Sequence, residues 1–159
     1  MRPSHQRLDA RGTLSLANAD SLLTAIKYKT ARAILYREDQ YLLAVHSSFW
    51  AAQERRWGLP GGRIEWRETP QDAVARELRE ELYVHVNEFT EVGDFHYKHA
   101  LHKVFAAELD REIQDYDESE LLDLRWFSGD AIVELAANNQ LHAGYELQAI
   151  QLLQTLIGR

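Results

Sequence analysis

The segment Thr69-Pro70-Gln71-Asp72-Ala73-Val74-Ala75-Arg76-Glu77-Leu78-Arg79-Glu80-Glu81-Leu82 is the most regular in the chain. Thr69 suits a helix N-cap, Pro70 suits the first helical position, where no N–H is needed, and Asp72 completes a T-x-x-D capping box. A helix begun there stacks Val74, Leu78 and Leu82 into one apolar stripe, because side chains four apart stand above one another. Glu77 and Glu81 are also four apart, and Glu80 is three from Glu77, so three carboxylates share a neighbourhood beside that stripe. Arg76, four before Glu80, is placed to brace it. Like charges at this spacing repel by a few tenths of a kcal/mol, roughly. Either these charges form a solvated face offset by Arg76 and Arg79, or they hold a hard cation such as Mg²⁺ or Mn²⁺, which oxygen ligands suit. The helix alone leaves both readings open.

Working outward, Trp57-Gly58-Leu59-Pro60-Gly61-Gly62 is a short apolar stretch broken by Pro60 and the successive Gly61 and Gly62, and residues 47–56 before it read as a loop containing Phe49 and Trp50. Residues 30–36 and 40–45 read as two strands around the polar turn Arg37-Glu38-Asp39, with further strands at 92–97, 101–109 and 124–127. Ser128 suits the cap of a short helix to Leu135. Residues 144–157 form a last amphipathic helix, with Leu147, Ile150, Leu153 and Ile157 on one face. Near the start, Met1 to Gly12 is a polar, aperiodic tail, and Asp20 suits the cap of a short helix carrying Leu22, Leu23 and Ile26. Strands interleaved with helices predict one α/β (α+β) domain, with a mixed sheet between helices packed on both of its faces.

The 159 residues suit a single domain with a real core. With 45% hydrophobic and 27% charged residues the composition is that of an ordinary globular protein. No apolar run approaches the ~20 residues that span a bilayer, and the first residues lack the apolar segment of a secretory signal. No membrane association is expected, and the default location is cytoplasmic. Cysteine is absent, which excludes disulfides and thiolate metal sites. The net charge of -7 argues against a broad basic face for nucleic acid. A small polyanion can still bind where something local reverses the sign, and bound cations do that.

The residues around the helix decide between its two readings. Gly62, Glu68, Arg76, Glu77, Leu78, Glu80, Glu81 and Val84 match the pattern G-x5-E-x7-R-E-U-x-E-E-x-G-U, where U is bulky and aliphatic, so the stretch resembles the Nudix box. The preceding Trp57-Gly58-Leu59-Pro60-Gly61 is also similar to that family. The likeness covers residues 29–157, dividing the chain into an N-terminal tail with a short helix (1–28) and a Nudix hydrolase domain (29–159). One position departs: Tyr83 stands where the family has its second Gly. If the backbone there is still left-handed, Tyr costs on the order of 1 kcal/mol relative to Gly; otherwise the helix ends later, near Asn87.

The resemblance implies an α/β/α sandwich and Mg²⁺- or Mn²⁺-dependent hydrolysis of a phosphoanhydride bond in a nucleoside diphosphate linked to another moiety. It assigns Glu77 and Glu81 as metal ligands, with Glu80 a further ligand or the residue that orients the attacking water. The Gly61 carbonyl completes the shell, Arg76 holds the carboxylates in place, and Glu68 supports them from behind. Trp57, Gly58 and Leu59 are expected to anchor the loop in the core. Outside the box, Glu120 best fits an acid that precedes the strand at 124–127. Trp50, with Phe49, is a candidate for stacking on a base. Asn138 and Asn139 are candidates for reading a purine edge, as in oxidised-dGTP sanitation enzymes. His96, His99 and His102 do not converge if they lie on one strand, since 96 and 102 then share a face and 99 points away, whereas a turn at His99-Ala100 would change that. The substrate is a small nucleotide derivative: a dNTP, an NDP-sugar or a dinucleotide. The GGRI-x-x-x-E stretch loosely resembles GDP-mannose hydrolases, but these lack part of the glutamate set complete here, which favours attack at phosphorus over attack at sugar carbon. A homodimer is left open. The competing readings are a non-catalytic Nudix-like nucleotide-binding regulator and a plain interaction domain.

Overall fold

The helix at the centre of the sequence forms as its signals dictate. In the computed structural model, which describes residues 27–48 and 54–159, helix α1 spans Pro70–Leu82. The Thr69 hydroxyl accepts the Asp72 N–H at 3.1 Å, and Pro70 opens the first turn. Val74, Leu78 and Leu82 are buried, together with Ala73. The helix stops at Tyr83, whose φ of 56° and ψ of 35° are left-handed. Its N–H reaches back to the Arg79 carbonyl at 3.2 Å, as in an αL cap, and the Val84 N–H follows to the Leu78 carbonyl at 3.5 Å. The departure from the family pattern therefore changes the residue and keeps the backbone. Because the Tyr83 side chain is 58% exposed, it contributes little packing to offset the strain. Tyr83→Gly is expected to stabilise the fold by about 1 kcal/mol or slightly less; a urea midpoint that falls instead would contradict this.

The strands are β1 (Thr30–Arg37), β2 (Gln40–His46), β3 (Gly61–Arg63), β4 (Thr90–Tyr97), β5 (Ala100–Glu108) and β6 (Leu121–Ser128). Their order is β4-β5-β1-β2-β6, with β3 paired to β1. Only β1 and β5 run parallel among these pairs, so the sheet is mixed. Residues of β1 alternate between two cores, as the period of a strand requires. Ala31, Ala33 and Leu35 face α1, while Ile34 and Tyr36 face the opposite layer. That layer holds α2 (Gly129–Ala137), capped by the Ser128 hydroxyl on Ala131 N–H at 3.1 Å, and α3 (Glu146–Leu156). Ile132, Ala149, Ile150 and Leu153 fill its core. The α/β/α sandwich is as expected. Trp57 and Leu59 are buried, and the Trp57 ring meets Phe127 edge-on at 4.9 Å, so the loop ahead of β3 is anchored in the core as read.

Two details differ from the sequence reading. Gly61-Gly62-Arg63, read as broken apolar chain, is a short strand. Gly61 lies so close to β1 that a Cβ there would sit 2.3 Å from the Ala31 carbonyl oxygen, and its φ is +129°. The histidines at 96, 99 and 102 are not on one strand: a turn at Lys98-His99, with φ of 48° and 59°, separates β4 from β5. His96 is exposed, whereas His102 is buried. The short helix read after Asp20, and Phe49 and Trp50, lie outside the described residues. No helix among the described residues is long and apolar enough to cross a membrane.

Candidate active site

Where β3 passes between β1 and α1, a cavity of about 530 Å³ opens, lined on one side by Gly61, Gly62, Glu77, Glu81 and Glu120. Glu81 is buried at 2% exposure although it is ionisable and belongs to an ELREEL string that suggests a wet surface. Its Oε2 faces the Gly61 N–H at 3.4 Å and its Oε1 lies 3.7 Å from His46 Nδ1. Burial, reinforced by the Glu77 carboxylate beside it, pushes the Glu81 carboxyl up to about 9, against the opposing pull of Arg32. Two carboxylates this close in a dry setting share a proton or hold a cation between them. The donor set is all oxygen, which suits a hard divalent cation. Gly62 completes the fit: a Cβ there would lie 2.7 Å from the Glu77 carboxyl carbon, so the missing side chain leaves room for that carboxylate. Gly62→Ala is expected to displace Glu77 and lower Mg²⁺ affinity about ten-fold with little change in thermal midpoint. Gly61→Ala meets backbone instead and should cost more than ~1 kcal/mol of stability. Equal stability losses in the two variants would contradict this contrast.

Arg76 organises the helix face. Its Nε and Nη2 donate to both oxygens of Glu68 at 2.8 and 2.9 Å, and its Nη1 donates to Glu77 at 3.1 Å and Glu80 at 3.2 Å. The Glu68 carboxyl is held below its ordinary range by that arginine. Glu80 stands apart from Glu77 and Glu81, with a side chain 58% exposed. Among the described residues no three His, Asp or Glu side chains converge on one point. The Gly61 carbonyl, expected to face a cation, accepts Arg32 Nη1 at 2.9 Å. Glu120 lines the cavity as expected, just ahead of β6. Asn138 and Asn139 are exposed at the end of α2 and do not line it.

The sequence reading missed the other wall, which carries Lys29, Arg32, Tyr97, Lys98, His142 and Tyr145. It also missed His46, whose Nε2 is 3.2 Å from the Leu59 carbonyl. A carbonyl only accepts, so Nε2 bears the proton and Nδ1 presents its lone pair toward Glu81. Burial, and after it the Arg32 charge, holds His46 well below its ordinary pKa and so neutral. Burial likewise lowers His142 to about 4. His102 is fixed between Thr30 Oγ1 at 2.7 Å and the Tyr97 carbonyl at 3.1 Å, and so ties β1 to the β4–β5 turn. A signal for Arg32 was present: it stands in register with Ile34 and Tyr36 on an otherwise apolar strand face.

The family model described as "NUDIX domain" matches residues 27–147. The chain belongs to the NUDIX family. It is 33% identical over 127 residues to a MutT-like protein of Streptomyces ambofaciens, covering 79% of this chain and 74% of that one. A putative 8-oxo-dGTP diphosphatase 3 of Mycobacterium tuberculosis is 28% identical over 115 residues, or 65% of this chain and 50% of the relative. Among solved structures, the MutT NUDIX hydrolase from Burkholderia pseudomallei superposes with a TM-score of 0.56 at 28% identity, over 64% of this chain and 82% of that one. The NUDIX domain of Shewanella oneidensis NrtR, complexed with ADP ribose, gives a TM-score of 0.65 at 20% identity over 87% and 97%. This Nudix chain is thus a hydrolase of the pyrophosphohydrolase kind, broadly directed at nucleotide-linked substrates, and its family generally uses divalent metal ions.

Proposed function

We propose that this Nudix protein hydrolyses the phosphoanhydride of a nucleoside diphosphate joined to a second moiety, with Mg²⁺ or Mn²⁺ held by Glu77 and Glu81. The observation that carries this reading is the buried Glu81 carboxyl beside the half-buried Glu77 carboxylate, because a carboxyl pushed up to about 9 by burial and a neighbouring carboxylate is stabilised by a cation. A divalent cation at that pair supplies charge neutralisation for the diphosphate and activation of the attacking water. Glu68 and Arg76 hold the Glu77 carboxylate in place, and Arg76 also donates to Glu80, which does not itself line the cavity. Glu80, exposed and anchored at one oxygen, is the residue that receives or orients water. The Gly61 carbonyl, which accepts Arg32 Nη1, keeps a second lone pair with which it would help hold the cation. Glu120 closes the acidic wall.

The substrate is a nucleotide derivative small enough for the cavity: a dNTP, an NDP-sugar or a dinucleotide. The putative 8-oxo-dGTP diphosphatase among the relatives favours the first. Trp50 is retained as a candidate for contacts to the base, whereas Asn138 and Asn139, which lie outside the cavity lining, are not. We place the activity in the cytoplasm, in residues 29–159, with or without dimerisation. A panel of dNTPs, NDP-sugars, dinucleotides and CoA incubated with Mg²⁺, with products identified by mass spectrometry, tests this. Cleavage of at least one at a diphosphate is expected. No cleavage of any would favour a nucleotide-binding regulator.

A further inference from the structure

Arg32 occupies a position that costs free energy without an evident internal return. It stands on β1 on the same face as the core residues Ile34 and Tyr36, yet it is charged and only partly exposed. Other partly buried cations satisfy their charge within the protein. Arg76 lies within ion-pair distance of four carboxylates, and Lys103 of two. Arg32 makes no ion pair among the described residues. Among the described residues its side-chain hydrogen bonds are two donations from Nη1, to the carbonyls of Leu59 at 3.3 Å and Gly61 at 2.9 Å. A guanidinium has five N–H donors, so Nε and Nη2 keep three that no described residue accepts. Holding two neutral carbonyls requires no positive charge.

The surroundings show where that charge acts. Arg32 lines the cavity with Lys29, and its field opposes protonation of His46, His102 and His142 around the walls. Gly61 joins the two poles directly: its N–H faces the Glu81 carboxylate and its carbonyl holds Arg32. A cationic fork and an acidic pair on either side of one glycine suit a ligand with two adjacent anionic groups. One is shared with a cation at the glutamates, and the next pairs with the fork, which matches phosphate in two-bonded geometry.

We propose that Arg32 is a phosphate-binding residue of this site, taking the phosphate next to the one held at Glu77 and Glu81. This rests on the reading of the cavity as a diphosphate site, but it assigns a residue outside the Nudix box and is tested without turnover. The probe is inorganic pyrophosphate, titrated calorimetrically in saturating Mg²⁺ against wild type, Arg32→Gln and Arg32→Lys. Arg32→Gln keeps a donor and removes the charge, and is expected to weaken binding by about ten- to a hundred-fold. Arg32→Lys keeps the charge without the fork and should lose less. Binding by Arg32→Gln within about two-fold of wild type overturns the assignment. Should the variants unfold, the wild type answers alone: pyrophosphate with Mg²⁺ is expected to protect Arg32 from an arginine-directed dicarbonyl reagent, mapped by mass spectrometry, and undiminished modification overturns the assignment. Pyrophosphate binding that depends on Arg32, in a protein that cleaves no nucleotide, would sustain this assignment and remove the hydrolase reading. Nucleotide cleavage with unaltered pyrophosphate binding in Arg32→Gln would do the reverse.

Discussion

Glu81→Gln is expected to lower turnover about a hundred-fold or more while leaving the protein folded. The side chain is isosteric, the core stripe of Val74, Leu78 and Leu82 is untouched, and the amide can still meet the Gly61 N–H through its oxygen. What disappears is the ligand charge beside Glu77. The same change removes the group that burial and Glu77 together penalise, so without metal the variant should be more stable than wild type at neutral and alkaline pH. Turnover within a few-fold of wild type at saturating Mg²⁺ would remove Glu81 from the metal site. A loss of activity accompanied by a lower thermal midpoint in EDTA would show a structural role instead.

The second large effect is the pH dependence of the metal-free protein. The Glu81 carboxyl titrates near 4.5 when unfolded and is pushed up to about 9 when folded. Between those values the folded state binds a proton that the unfolded state has lost, so stability is fully present below about 4.5 and is lost as pH rises toward about 9. The slope approaches ~1.4 kcal/mol per pH unit within that window. His142, lowered to about 4, acts in the opposite direction as pH falls through the ordinary histidine range, and His46 and His102 are shifted the same way. Above the histidine range, at pH 7–9, burial also raises Glu146, which acts in the same direction as Glu81 and is common to wild type and variant. In EDTA the wild-type denaturant midpoint should fall across that window more steeply than the Glu81→Gln midpoint, and Mg²⁺ should reduce the wild-type fall. Activity should rise toward alkaline pH partly because metal must displace that proton. A wild-type midpoint that rises between pH 7 and 9 in EDTA would contradict this.

What the sequence revealed, and what it concealed, follows from the range of the forces involved. Helix α1 was legible because capping at Thr69 and Pro70 and the stripe at Val74, Leu78 and Leu82 are local signals. The left-handed Tyr83 was legible only as a choice, since the exposed residue carries no signature of its backbone. Strand β3 was not legible: Gly61 and Gly62 are poor strand formers, and their conformation is set by close approach to Ala31 and by the Glu77 carboxylate, both distant in sequence. The box singled out Glu77, Glu80 and Glu81. It gave no sign that Glu81 would be dry, that Glu80 would be wet, or that they would separate on a single turn of helix. Residues of the opposite wall come from β1, the β4–β5 turn and the start of α3, which only the tertiary fold brings together. Asn138 and Asn139 looked promising by residue type alone, and the fold leaves them outside the cavity.

The central claim is that water attacks phosphorus at the glutamate pole. It is tested most directly by running the reaction with Mg²⁺ in ¹⁸O-enriched water and locating the label by ³¹P NMR and mass spectrometry. The account predicts one ¹⁸O on a phosphate of one product, none on the carbon skeleton of either, and no product in EDTA. Label on the non-phosphate moiety, or undiminished turnover in EDTA, would contradict it.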